Sequence, residues 1–577
     1  MKRTHTCGEL NISNIGQKVL LQGWVKKIRK MGAMTFIDLR DRYGITQIIA
    51  SDKETSILND IKTEFVVEVI GIVVERKSKN LELTTGEIEI QVENILVINK
   101  SELTPFQIED KIDTLEDTRL SYRYLDLRRP EMTNNLLIRS KMNSIIRRYL
   151  EDQKFVEVET PILGKSTPEG ARDFLVPSRT NKNKFYALPQ SPQLFKQLLM
   201  ISGIDRYFQI VRCFRDEDLR IDRQPEFTQL DMEMSFATNE DVMEIIENLI
   251  KKILKDLKNV DIIEPLIRLP YKEAIANYGV DKPDLRYDLL IKDLNEVFAN
   301  TEIKMLKPLV KQNLSIRGVM IDEILTKKQI LEIEETAKQN HLKSIGFAKF
   351  ENDTWSGSIA SQLNEKEKKE LLTIFNIKDK GTLFVNGDKY KTISQAMGAI
   401  RINLAKIFNL ANVTDFKLLW VVDFPLFEWS EDDNRFVAAH HPFTMPKQES
   451  LKDFDTNKEQ ALANSYDLVM NGFEIGGGSQ RITNFDLQKR MFDAIELSKE
   501  EIVNNFDWFM NAYKYGAPYH SGLALGLDRI GMLLTGAYSI RDVIAFPKNS
   551  SGIDPMSNAP DFVNDSLLEQ LNVKTIK

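Results

Sequence analysis

The first hundred residues contain five short stretches in which apolar positions alternate with polar ones or follow one another directly. The stretches are rich in Val, Ile and Phe and lie at 19–28, 33–41, 45–50, 64–74 and 87–98. This pattern is typical of short strands that bury one face. The segment SDKETSILNDIK, between the third and fourth stretches, predicts a capped helix.

Five short strands with one helix over residues 1–104 predict a small Greek-key barrel of the oligonucleotide-binding (OB) kind. An immunoglobulin-like sandwich is the alternative, but that fold needs seven strands at longer spacing. The number and spacing of the stretches favour the barrel.

After the barrel the pattern changes to helices and antiparallel-looking strands. A polar stretch at 105–135, rich in Asp, Arg and Tyr, predicts a linker or hinge, and apolar residues at helical spacing predict a helix at 136–152. A strand follows and stops at Pro161, and Ser191 is placed to cap a later helix. Further strands and one long amphipathic helix are predicted at 184–188, 206–217, 226–236 and 239–260.

Residues 285–412 differ in composition from the sequence on both sides. They are rich in Lys and Glu, with helical segments and short strands such as SIGFAKF and GTLFVNG. We interpret them as an inserted α+β domain that splits a larger α+β domain into 136–284 and 413–550, with 551–577 as a C-terminal extension. The chain is therefore predicted to be an α+β multidomain protein.

Composition narrows the class of protein. Hydrophobic residues make up 42% and charged residues 28%, as in globular proteins that bury several cores. No apolar run is long enough to span a bilayer, the N-terminus lacks the apolar core of a secretory signal, and Cys7 and Cys213 lie far apart. We therefore expect a cytoplasmic protein. The net charge of −7 argues against a surface built throughout for nucleic acid, but allows a local basic face.

The segment at 213–236 places a dense mix of charges between two apolar strands, where a hairpin usually closes with Gly or Asn-Gly. Arginine binds phosphate bidentately, and carboxylates accept from an adenine amino group or hold a metal. On this segment alone, a nucleotide site and a solvated, salt-bridged loop are both open interpretations. The chain has no Walker loop, kinase signature or GxGxxG turn that would hold a nucleotide instead.

Three segments of the chain resemble, in order, the three motifs of class II aminoacyl-tRNA synthetases. VETPIL, with Pro161, resembles motif 1, which forms the dimer interface in that family. The charged loop resembles motif 2, and its RDE…RQPEFTQ wording is similar to the bacterial-type aspartyl branch. GLALGLDRIGMLL, at 522–534, resembles motif 3. Because the motifs occur together and in order, the resemblance covers nearly the whole chain.

The resemblance implies an antiparallel-sheet catalytic domain that activates aspartate with ATP and Mg²⁺ and then charges tRNA(Asp), in a homodimer. Some relatives also charge tRNA(Asn), so that acceptor stays open; Met31 is apolar where such relaxed enzymes often carry His, which favours a discriminating enzyme. The alternatives are an asparaginyl or lysyl enzyme on the same scaffold, or a nucleic-acid-binding relative with an inactive catalytic domain. The QSPQLFKQ segment and the long insertion favour aspartate.

The resemblance also implies roles for individual residues. The ATP-binding residues would be Arg215, Asp216, Glu217, Gln224, Glu474, Gly526, Leu527, Asp528 and Arg529, with Arg215 and Arg529 catalytic. The aspartate-binding residues would be Glu169, Ser191, Gln193, Lys196, Arg215, Asp231, His440 and Arg481, with Glu233 behind Asp231. An Arg and a Lys in a closed pocket can demand a negative partner, because burying them unpaired is costly. Without the resemblance, Lys196 would be interpreted as a solvated helix lysine.

Two adjacent histidines and two acids complete the predicted catalytic site. His440 and His441 could form part of a metal site, but no Cys or third His lies near them. The resemblance instead places His440 in the aspartate pocket and makes Asp467 and Glu474 the magnesium-binding acids. The glycine run at 476–478 fits close approach of the backbone to a bound ligand.

The segment WVKKIRKMGAMTFIDLRD in the predicted barrel combines cations with an aromatic residue. Single-stranded RNA is bound by stacking of its bases on aromatic rings and by hydrogen bonds to base edges. The resemblance points to Phe36 as the stacking residue and to Arg29, Met31, Gln47 and Glu89 as the residues that contact the anticodon. A buried Phe36 in the barrel core is the alternative.

Overall fold

The computed structural model describes residues 2–32, 34–51, 58, 60–167 and 170–576 of the chain. Two compact units are present. The first comprises Met1–Leu137, Ala545–Asn549 and Ile553–Asp561, and the second comprises Ile138–Ile544, Ser550–Gly552 and Phe562–Lys577. Among the described helices, none is long and apolar enough to cross a membrane.

The first unit contains a closed five-stranded barrel in the order β1-β2-β3-β5-β4, in which β3 and β5 pair in parallel. Its strands are β1 Lys18–Met31, β2 Met34–Arg40, β3 Ile45–Ser51, β4 Val66–Glu75 and β5 Ile88–Asn99. Alternate residues such as Leu39, Val67 and Val69 are fully buried in the barrel core. The predicted barrel is confirmed, and each strand ends within a few residues of its predicted bound. The predicted helix at 51–62 lies mostly outside the described residues.

The stretch predicted as a linker contains helices α1, Glu116–Ser121, and α2, Arg123–Asp126. The carboxylate of Asp126 is fully buried and accepts hydrogen bonds from Arg123 at 2.6 Å and from Arg129 at 2.8 Å. This charge cluster gives the stretch a fixed local structure, which its polar composition did not indicate. A hinge function of the stretch stays a prediction.

The second unit is built on a large, mostly antiparallel sheet. Its eight strands follow the order β11-β17-β20-β21-β22-β10-β9-β6. The strands between the barrel and residue 270 are β6 Val156–Glu157, β7 Leu175–Pro177, β8 Phe185–Ala187, β9 Arg206–Phe214, β10 Glu226–Ser235 and β11 Ile267–Pro270. The predicted antiparallel-sheet domain is confirmed, although the strand expected before Pro161 is reduced to the two residues of β6.

A second sheet of five strands, in the order β12-β13-β16-β14-β15, lies within the stretch interpreted as an insertion. Its strands are β12 Lys292–Asp293, β13 Ser315–Ile321, β14 Gly346–Glu351, β15 Thr354–Ser356 and β16 Lys380–Asp388. Hydrophobic clusters that include Ile333, Phe384 and Ile400 on one side and Phe298 and Leu383 on the other bury its faces. We call this sheet and its helices the five-stranded unit; the exact domain boundaries stay predictions.

The remaining strands return to the large sheet or form a small hairpin. They are β17 Leu418–Val422, β18 Phe427–Ser430, β19 Arg435–Ala438, β20 Ser465–Met470, β21 Phe473–Gln480 and β22 His520–Gly526. Strands β20, β21 and β22 occupy the middle of the large sheet next to β10. Residues far apart in the chain therefore meet on neighbouring strands.

Helices pack on both sheets of the second unit, and the last helix of the chain, Asp565–Leu571, buries none of its residues. They are α3 Pro130–Asp152, which begins in the first unit, α4 Gln193–Ile201, α5 Asn239–Lys258, α6 Tyr271–Tyr278, α7 Lys307–Lys311, α8 Lys327–Gln339, α9 Glu365–Ile374, α10 Tyr390–Ile407, α11 Phe485–Ala494, α12 Lys499–Ala512, α13 Leu527–Thr535 and α14 Asp565–Leu571. Helix α5 shows why these boundaries are sharp. Thr238 and Asp241 form a capping box at its start, and Asn259 adopts a left-handed conformation at its end.

Candidate active site

A cavity of about 790 Å³ opens on one face of the large sheet in the second unit. Strands β20, β21, β22 and β10 supply its floor, and the charged loop between β9 and β10 supplies one side. Of the residues predicted to bind ATP, aspartate or a metal, it is lined by Ser191, Gln193, Lys196, Arg215, Glu217, Gln224, Asp231, His440, Asp467, Glu474, Arg481, Gly526, Asp528 and Arg529. Folding thus brings most of the predicted site to one place.

The floor of the cavity is a row of four residues, one on each strand. Asp467 is paired with Gly477, Gly477 with Ala524, and Ala524 with Asp231. The two middle residues are small, so carboxylates stand at both ends of a shallow floor. A Cβ atom at Gly477 would lie 2.5 Å from Oδ1 of Asp467, so any larger residue there would displace that acid.

The absence of a side chain at the neighbouring Gly476 and Gly478 has a different physical reason. A Cβ atom at Gly476 would lie 2.5 Å from the carbonyl oxygen of Ala524, and one at Gly478 would lie 2.3 Å from that of Gly522. These contacts are with the backbone of β22, so close strand packing accounts for both positions. Approach of the glycine backbone to a ligand stays a prediction.

One end of the floor is closed by four buried charges. The Lys196 ammonium lies 2.7 Å from Asp231 and 3.2 Å from Glu233, and the Arg481 guanidinium donates to both oxygens of Glu233 at 2.9 and 3.1 Å. All four side chains are almost completely buried. Oδ2 of Asp231 is buried and has no hydrogen-bond partner within the described part of the chain. We call these four residues the closed end of the cavity.

The electrostatics of the closed end separate its two acids. Burial acts to raise the pKa of Glu233, but the charges of Arg481 and Lys196 outweigh it and lower that pKa to about 2. Burial raises the pKa of Asp231, and the opposing charge of Lys196 does not offset it. Glu233 is therefore the fixed anion that holds both cations, while Asp231 is the acid that a cationic ligand would stabilise most.

His441 also belongs to the closed end, although the resemblance gave it no role. Its Nε2 lies 2.6 Å from Nη1 of Arg481, which also donates to Ser479 at 2.6 Å. Burial and the charge of Arg481 lower the pKa of His441 well below its ordinary value. The ring is therefore neutral near pH 7 and accepts a hydrogen bond from Arg481. The only signal of this position in the sequence is the adjacent histidine.

The other end of the cavity, which we call the open end, is formed by the charged loop and the start of α13. The Arg215 guanidinium lies over the Phe227 ring at 5.1 Å and makes no ion pair with any described residue. Nearby, Glu217 binds Arg223 at 3.1 Å. A cation over a ring with no anion beside it is suited to a phosphate, and the ring beneath it offers a stacking surface.

Motif 3 places Arg529 at the same end. Its Nη2 lies 3.1 Å from Asp222, its Nη1 donates to the carbonyl of Glu474, and its buried Nε has no partner among the described residues. Asp528 has a different use, because it accepts from the backbone N–H of Thr228 at 2.7 Å and from Arg139. This carboxylate anchors α13 to β10.

Three predicted residues lie apart from the cavity or outside the described chain. Leu527 is fully buried and does not line the cavity. Asp216 is exposed and also absent from the lining, and it pairs with Arg172 at 3.9 Å. Glu169 lies outside the described residues.

Two further predicted ligands stand at the start of α4. Ser191 and Gln193 line the cavity, and Nε2 of Gln193 is buried without a hydrogen-bond partner among the described residues. The prediction that Ser191 caps this helix is wrong. Pro192 occupies the N-cap position, so Ser191 lies one residue before it. The Ser191 hydroxyl accepts a hydrogen bond from the N–H of Gln193, the first residue of the helix, at 3.3 Å.

His440 stands between the two ends, beside the predicted metal-binding acids. Its Nε2 lies 3.7 Å from Asp467, and its ring packs edge-on against Phe424 at 4.8 Å. Burial acts to lower the pKa of His440, but the contact with Asp467 and the charge of Glu474 raise it overall. Burial and the charge of Asp467 raise the pKa of Glu474. Negative charge is therefore in excess at this point of the floor.

The barrel of the first unit brings together the residues predicted to contact an anticodon. Arg29 donates to both oxygens of Asp38 at 2.7 and 2.8 Å and to Gln47 at 3.1 Å, and Gln47 donates to Glu89 at 2.6 Å. Phe36 is paired with Arg29 on the neighbouring strand and is half-buried rather than part of the core. Met31 is exposed. Asp38, which the sequence interpretation missed, connects the set.

Two family models match the chain, and together they cover most of it. Residues 19–98 match the OB-fold nucleic acid binding domain, and residues 115–550 match the class II tRNA synthetases for D, K and N. The chain belongs to the class II tRNA synthetases.

The curated relatives of this synthetase resemble it over its full length. It is 69% identical over 577 residues to a protein of Mycoplasma capricolum subsp. capricolum named aspartate–tRNA ligase, covering 100% of both chains. It is 46% identical to a protein of Caldanaerobacter subterraneus subsp. tengcongensis named aspartate–tRNA(Asp/Asn) ligase, covering 100% of this chain and 98% of the relative.

A solved structure shows the same fold at much lower identity. The asparaginyl-tRNA synthetase from Pyrococcus horikoshii, solved with asparaginyl-adenylate, matches with a TM-score of 0.59 at 19% identity. The match covers 95% of this synthetase and 98% of that chain. The predicted synthetase fold is therefore confirmed by sequence and by structure.

Proposed function

We propose that this synthetase activates L-aspartate with ATP and transfers the aspartyl group to tRNA(Asp). The observation that carries the proposal is the closed end of the cavity. Nη1 of Arg481 faces His441 and Ser479 rather than an anion, so part of this guanidinium is not neutralised by a carboxylate. A ligand carboxylate would supply the missing negative charge at that edge in place of a neutral acceptor, and the ammonium group of the same ligand would donate to the unpartnered oxygen of Asp231.

Lysine and asparagine fit this end less well than aspartate. A lysine side chain brings a second positive charge against Arg481 and Lys196, and an asparagine amide brings no charge to neutralise them. Leaving buried groups unpaired costs about 10⁴-fold in specificity in sites of this kind. The relative that is 69% identical over the full length of this chain is named aspartate–tRNA ligase, and this name agrees with the choice of aspartate.

The reaction has two steps in which the protein positions groups rather than moving protons. An oxygen of the aspartate α-carboxylate attacks the α-phosphorus of ATP, the bond to the β-phosphate oxygen breaks, and pyrophosphate leaves. The 3′-hydroxyl of the terminal adenosine of tRNA then attacks the aspartyl carbonyl carbon, the bond from that carbon to the AMP phosphate oxygen breaks, and AMP leaves with the hydroxyl proton on its phosphate. Arg215 and Arg529 at the open end are placed to stabilise the phosphate charge, and Phe227 to stack the adenine.

Asp467 and Glu474 are the residues that would hold Mg²⁺. Burial and the charge of Asp467 raise the pKa of Glu474, so a divalent cation bound between the two acids would stabilise their ionised forms. The described residues form no cluster of three or more metal-binding side chains, which suits Mg²⁺, since this ion keeps several waters and takes phosphate oxygens as ligands. When bound, the ion would neutralise negative charge on the phosphates.

The partners of the synthetase follow from its other surfaces. The network of Arg29, Asp38, Gln47 and Glu89 supports contact with anticodon bases, with Phe36 as the stacking ring. Strand β6 lies at an edge of the large sheet, and the motif 1 segment at 158–163 follows it directly, which supports a homodimer through that edge. Both cysteines are free, in agreement with a cytoplasmic location.

The decisive test is ATP–pyrophosphate exchange with aspartate, asparagine and lysine as separate substrates. We expect exchange with aspartate that exceeds the other two by about 10³-fold or more. Equal or faster exchange with asparagine or lysine overturns the choice of amino acid. Charging of tRNA(Asp) and tRNA(Asn) transcripts then decides the acceptor; we expect tRNA(Asp) to be preferred.

A further inference from the structure

One wall of the cavity comes from the segment that joins the large sheet to the five-stranded unit. Tyr271, the first residue of α6, and Asp281, which follows that helix, both line the cavity. The Tyr271 ring lies 5.2 Å from the Phe424 ring, which in turn lies 4.8 Å from the His440 ring. The wall therefore reaches the centre of the cavity through packed rings, although it belongs to none of the three sequence motifs.

Arg401, on α10 of the five-stranded unit, binds the backbone of the segment that joins the large sheet to that unit. Its guanidinium is fully buried and donates to the carbonyls of Leu289 at 2.5 Å, Asp284 at 2.9 Å and Tyr287 at 3.1 Å. It also lies over the rings of Tyr278, at 4.9 Å, and Tyr287, at 4.2 Å.

This cation has an unusual environment, because it forms no ion pair with any residue in the described ranges. A buried cation without a direct ion pair is costly, so the carbonyl dipoles and ring faces have to be held in place around it. Arg401 does not line the cavity and forms part of no motif. Its three carbonyl partners all lie between α6 and the first strand of the five-stranded unit.

Two glycines bring α10 into direct backbone contact with the end of the wall. Gly279 ends α6 with a φ angle of +71°, and a Cβ atom there would lie 2.2 Å from the carbonyl oxygen of Ser394. A Cβ atom at Gly398 would lie 2.9 Å from the carbonyl oxygen of Gly279. The two backbones are packed so closely that neither can shift alone.

Two further contacts complete the support. Arg317, on β13, donates to the carbonyl of Ala276 within α6 and to the hydroxyl of Ser394 at 3.2 Å. At the other side, a Cβ atom at Gly472 would lie 3.2 Å from Cβ of Asp284. Gly472 forms the turn between the strands that carry Asp467 and Glu474. The segment is thus fixed between the five-stranded unit and the strands of the active site.

From these contacts we infer that the five-stranded unit holds the Tyr271–Asp281 wall of the active site, with Arg401 as the positioning residue. The effect on catalysis rests on the proposed function. A displacement of about 1 Å in a positioned group can reduce a rate by about 10²-fold, so a loosened wall lowers aspartate activation although no reacting group is changed.

The first measurement reports the wall itself and needs no catalysis. Hydrogen–deuterium exchange of the full chain is compared for wild type, Arg401→Ala, Gly398→Ala and Asn403→Ala. Gly398→Ala removes no hydrogen bond; its added methyl group is too close to the Gly279 carbonyl and pushes α10 away from Gly279. Asn403→Ala is the matched control, because the side chain of Asn403, on the same helix, donates to Thr336 of the five-stranded unit at 2.8 Å and to no described residue of the wall. We expect faster exchange over residues 271–286 in the first two variants and wild-type exchange in the control.

The second measurement connects the wall to the reaction. We expect kcat/KM for aspartate-dependent ATP–pyrophosphate exchange to fall by about 10-fold or more in Arg401→Ala and Gly398→Ala, with Asn403→Ala unchanged. Tyr271→Leu removes the ring contact with Phe424. If Arg401 acts through the wall, the double variant Arg401→Ala/Tyr271→Leu loses less than the product of the two single losses.

Unchanged exchange over 271–286 in both Arg401→Ala and Gly398→Ala overturns the inference, and so do strictly multiplicative losses in the double variant. If Arg401→Ala fails to fold, Gly398→Ala decides alone. A wild-type chain without aspartate-dependent activity would contradict the proposed function instead, and the hydrogen-exchange comparison would still decide whether the wall is held in this way.

Discussion

The two ends of the active-site cavity hold their charges in different ways. At the closed end, Lys196, Asp231, Glu233 and Arg481 are each at most 3% exposed and bind one another. At the open end, Arg215 has no ion pair among the described residues, and the side chain of Arg529 keeps 24% of its surface exposed. The charges of the closed end are thus paired with one another inside the fold, whereas Arg215 at the open end is held by no ion pair among the described residues.

This difference predicts which properties depend on each end. Two cations and two acids compensate each other at the closed end, so removing one leaves a buried charge unpaired and destabilises the fold. At the open end, Arg215 has no ion pair among the described residues and Arg529 pairs with the partly exposed Asp222, so removing either cation costs the fold little and the bound phosphates much. Substitutions at the closed end should therefore lower stability and activity together. Substitutions at the open end should lower activity and leave stability nearly unchanged.

The largest expected effect is that of Arg481→Met. This change removes both bonds to Glu233 and the edge proposed to bind the substrate carboxylate. We expect kcat/KM for aspartate in ATP–pyrophosphate exchange to fall by about 10³- to 10⁴-fold, together with a lower melting temperature. Arg490→Met is the control for a two-bonded Arg–carboxylate pair outside the cavity, because Arg490 donates to both oxygens of Asp455 while both side chains are partly exposed. An activity loss in the control as large as in Arg481→Met would show that any broken ion pair has this effect.

The open end is tested by Arg215→Ala. We expect exchange activity to fall by about 10²- to 10³-fold while the melting temperature stays at the wild-type value, because this side chain makes no ion pair in the part of the chain that the structure describes. Arg212→Ala, on β9 three residues before Arg215, is the control, since Arg212 pairs with Glu226 and does not line the cavity. Retained exchange in Arg215→Ala, or a large loss of stability, would remove the distinction between the two ends.

The elements that hold these residues were predictable where the signal is local. Strands β9 and β10 were predicted to within three residues, because their apolar alternation is regular, and the barrel strands for the same reason. The short strand β6 was overpredicted, since the apolar run before Pro161 does not reveal that only two of its residues find a partner strand. The cap at Ser191 failed because the proline after it starts the helix one residue later.

The partners of the site residues were not predictable, because they depend on long-range pairing. The floor joins Asp231 to Asp467 through β22 and β21, across more than two hundred residues of sequence, and no pattern near either acid indicates this. Asp38, His441 and Tyr271 were missed for the same reason. Their roles follow from what faces them, namely Arg29, Arg481 and Phe424.

A smaller effect at the closed end is expected from Asp231→Asn. The amide keeps the size of the side chain but offers no charge to the substrate ammonium, and one oxygen of Asp231 has no partner among the described residues. We expect KM for aspartate to rise by about 10- to 100-fold, since a hydrogen bond to a charged group is worth about 1.5–3 kcal/mol. KM for ATP should stay within about twofold of wild type in the same exchange assay. An equal rise of both values would contradict a specific contact with the amino acid.

The smallest effect concerns the neutral state of His441, which the closed end needs in order to accept a hydrogen bond from Arg481. Burial and Arg481 lower the pKa of His441, so below about pH 6.5 the unfolded chain binds a proton that the folded chain does not. Stability therefore falls as the pH falls.

Between about pH 6.5 and 5.5, we expect the free energy of unfolding to fall by at most about 1 kcal/mol more in wild type than in His441→Gln. The measurement is the urea midpoint of each protein at the two pH values. The glutamine amide can still accept from Arg481 but does not titrate, so the variant isolates the proton. His440 responds in the opposite direction, because its pKa is raised, and it is present in both chains. If wild type instead gained stability relative to the variant on acidification, His441 would be protonated in the folded state, and Arg481 would have to turn to another acceptor.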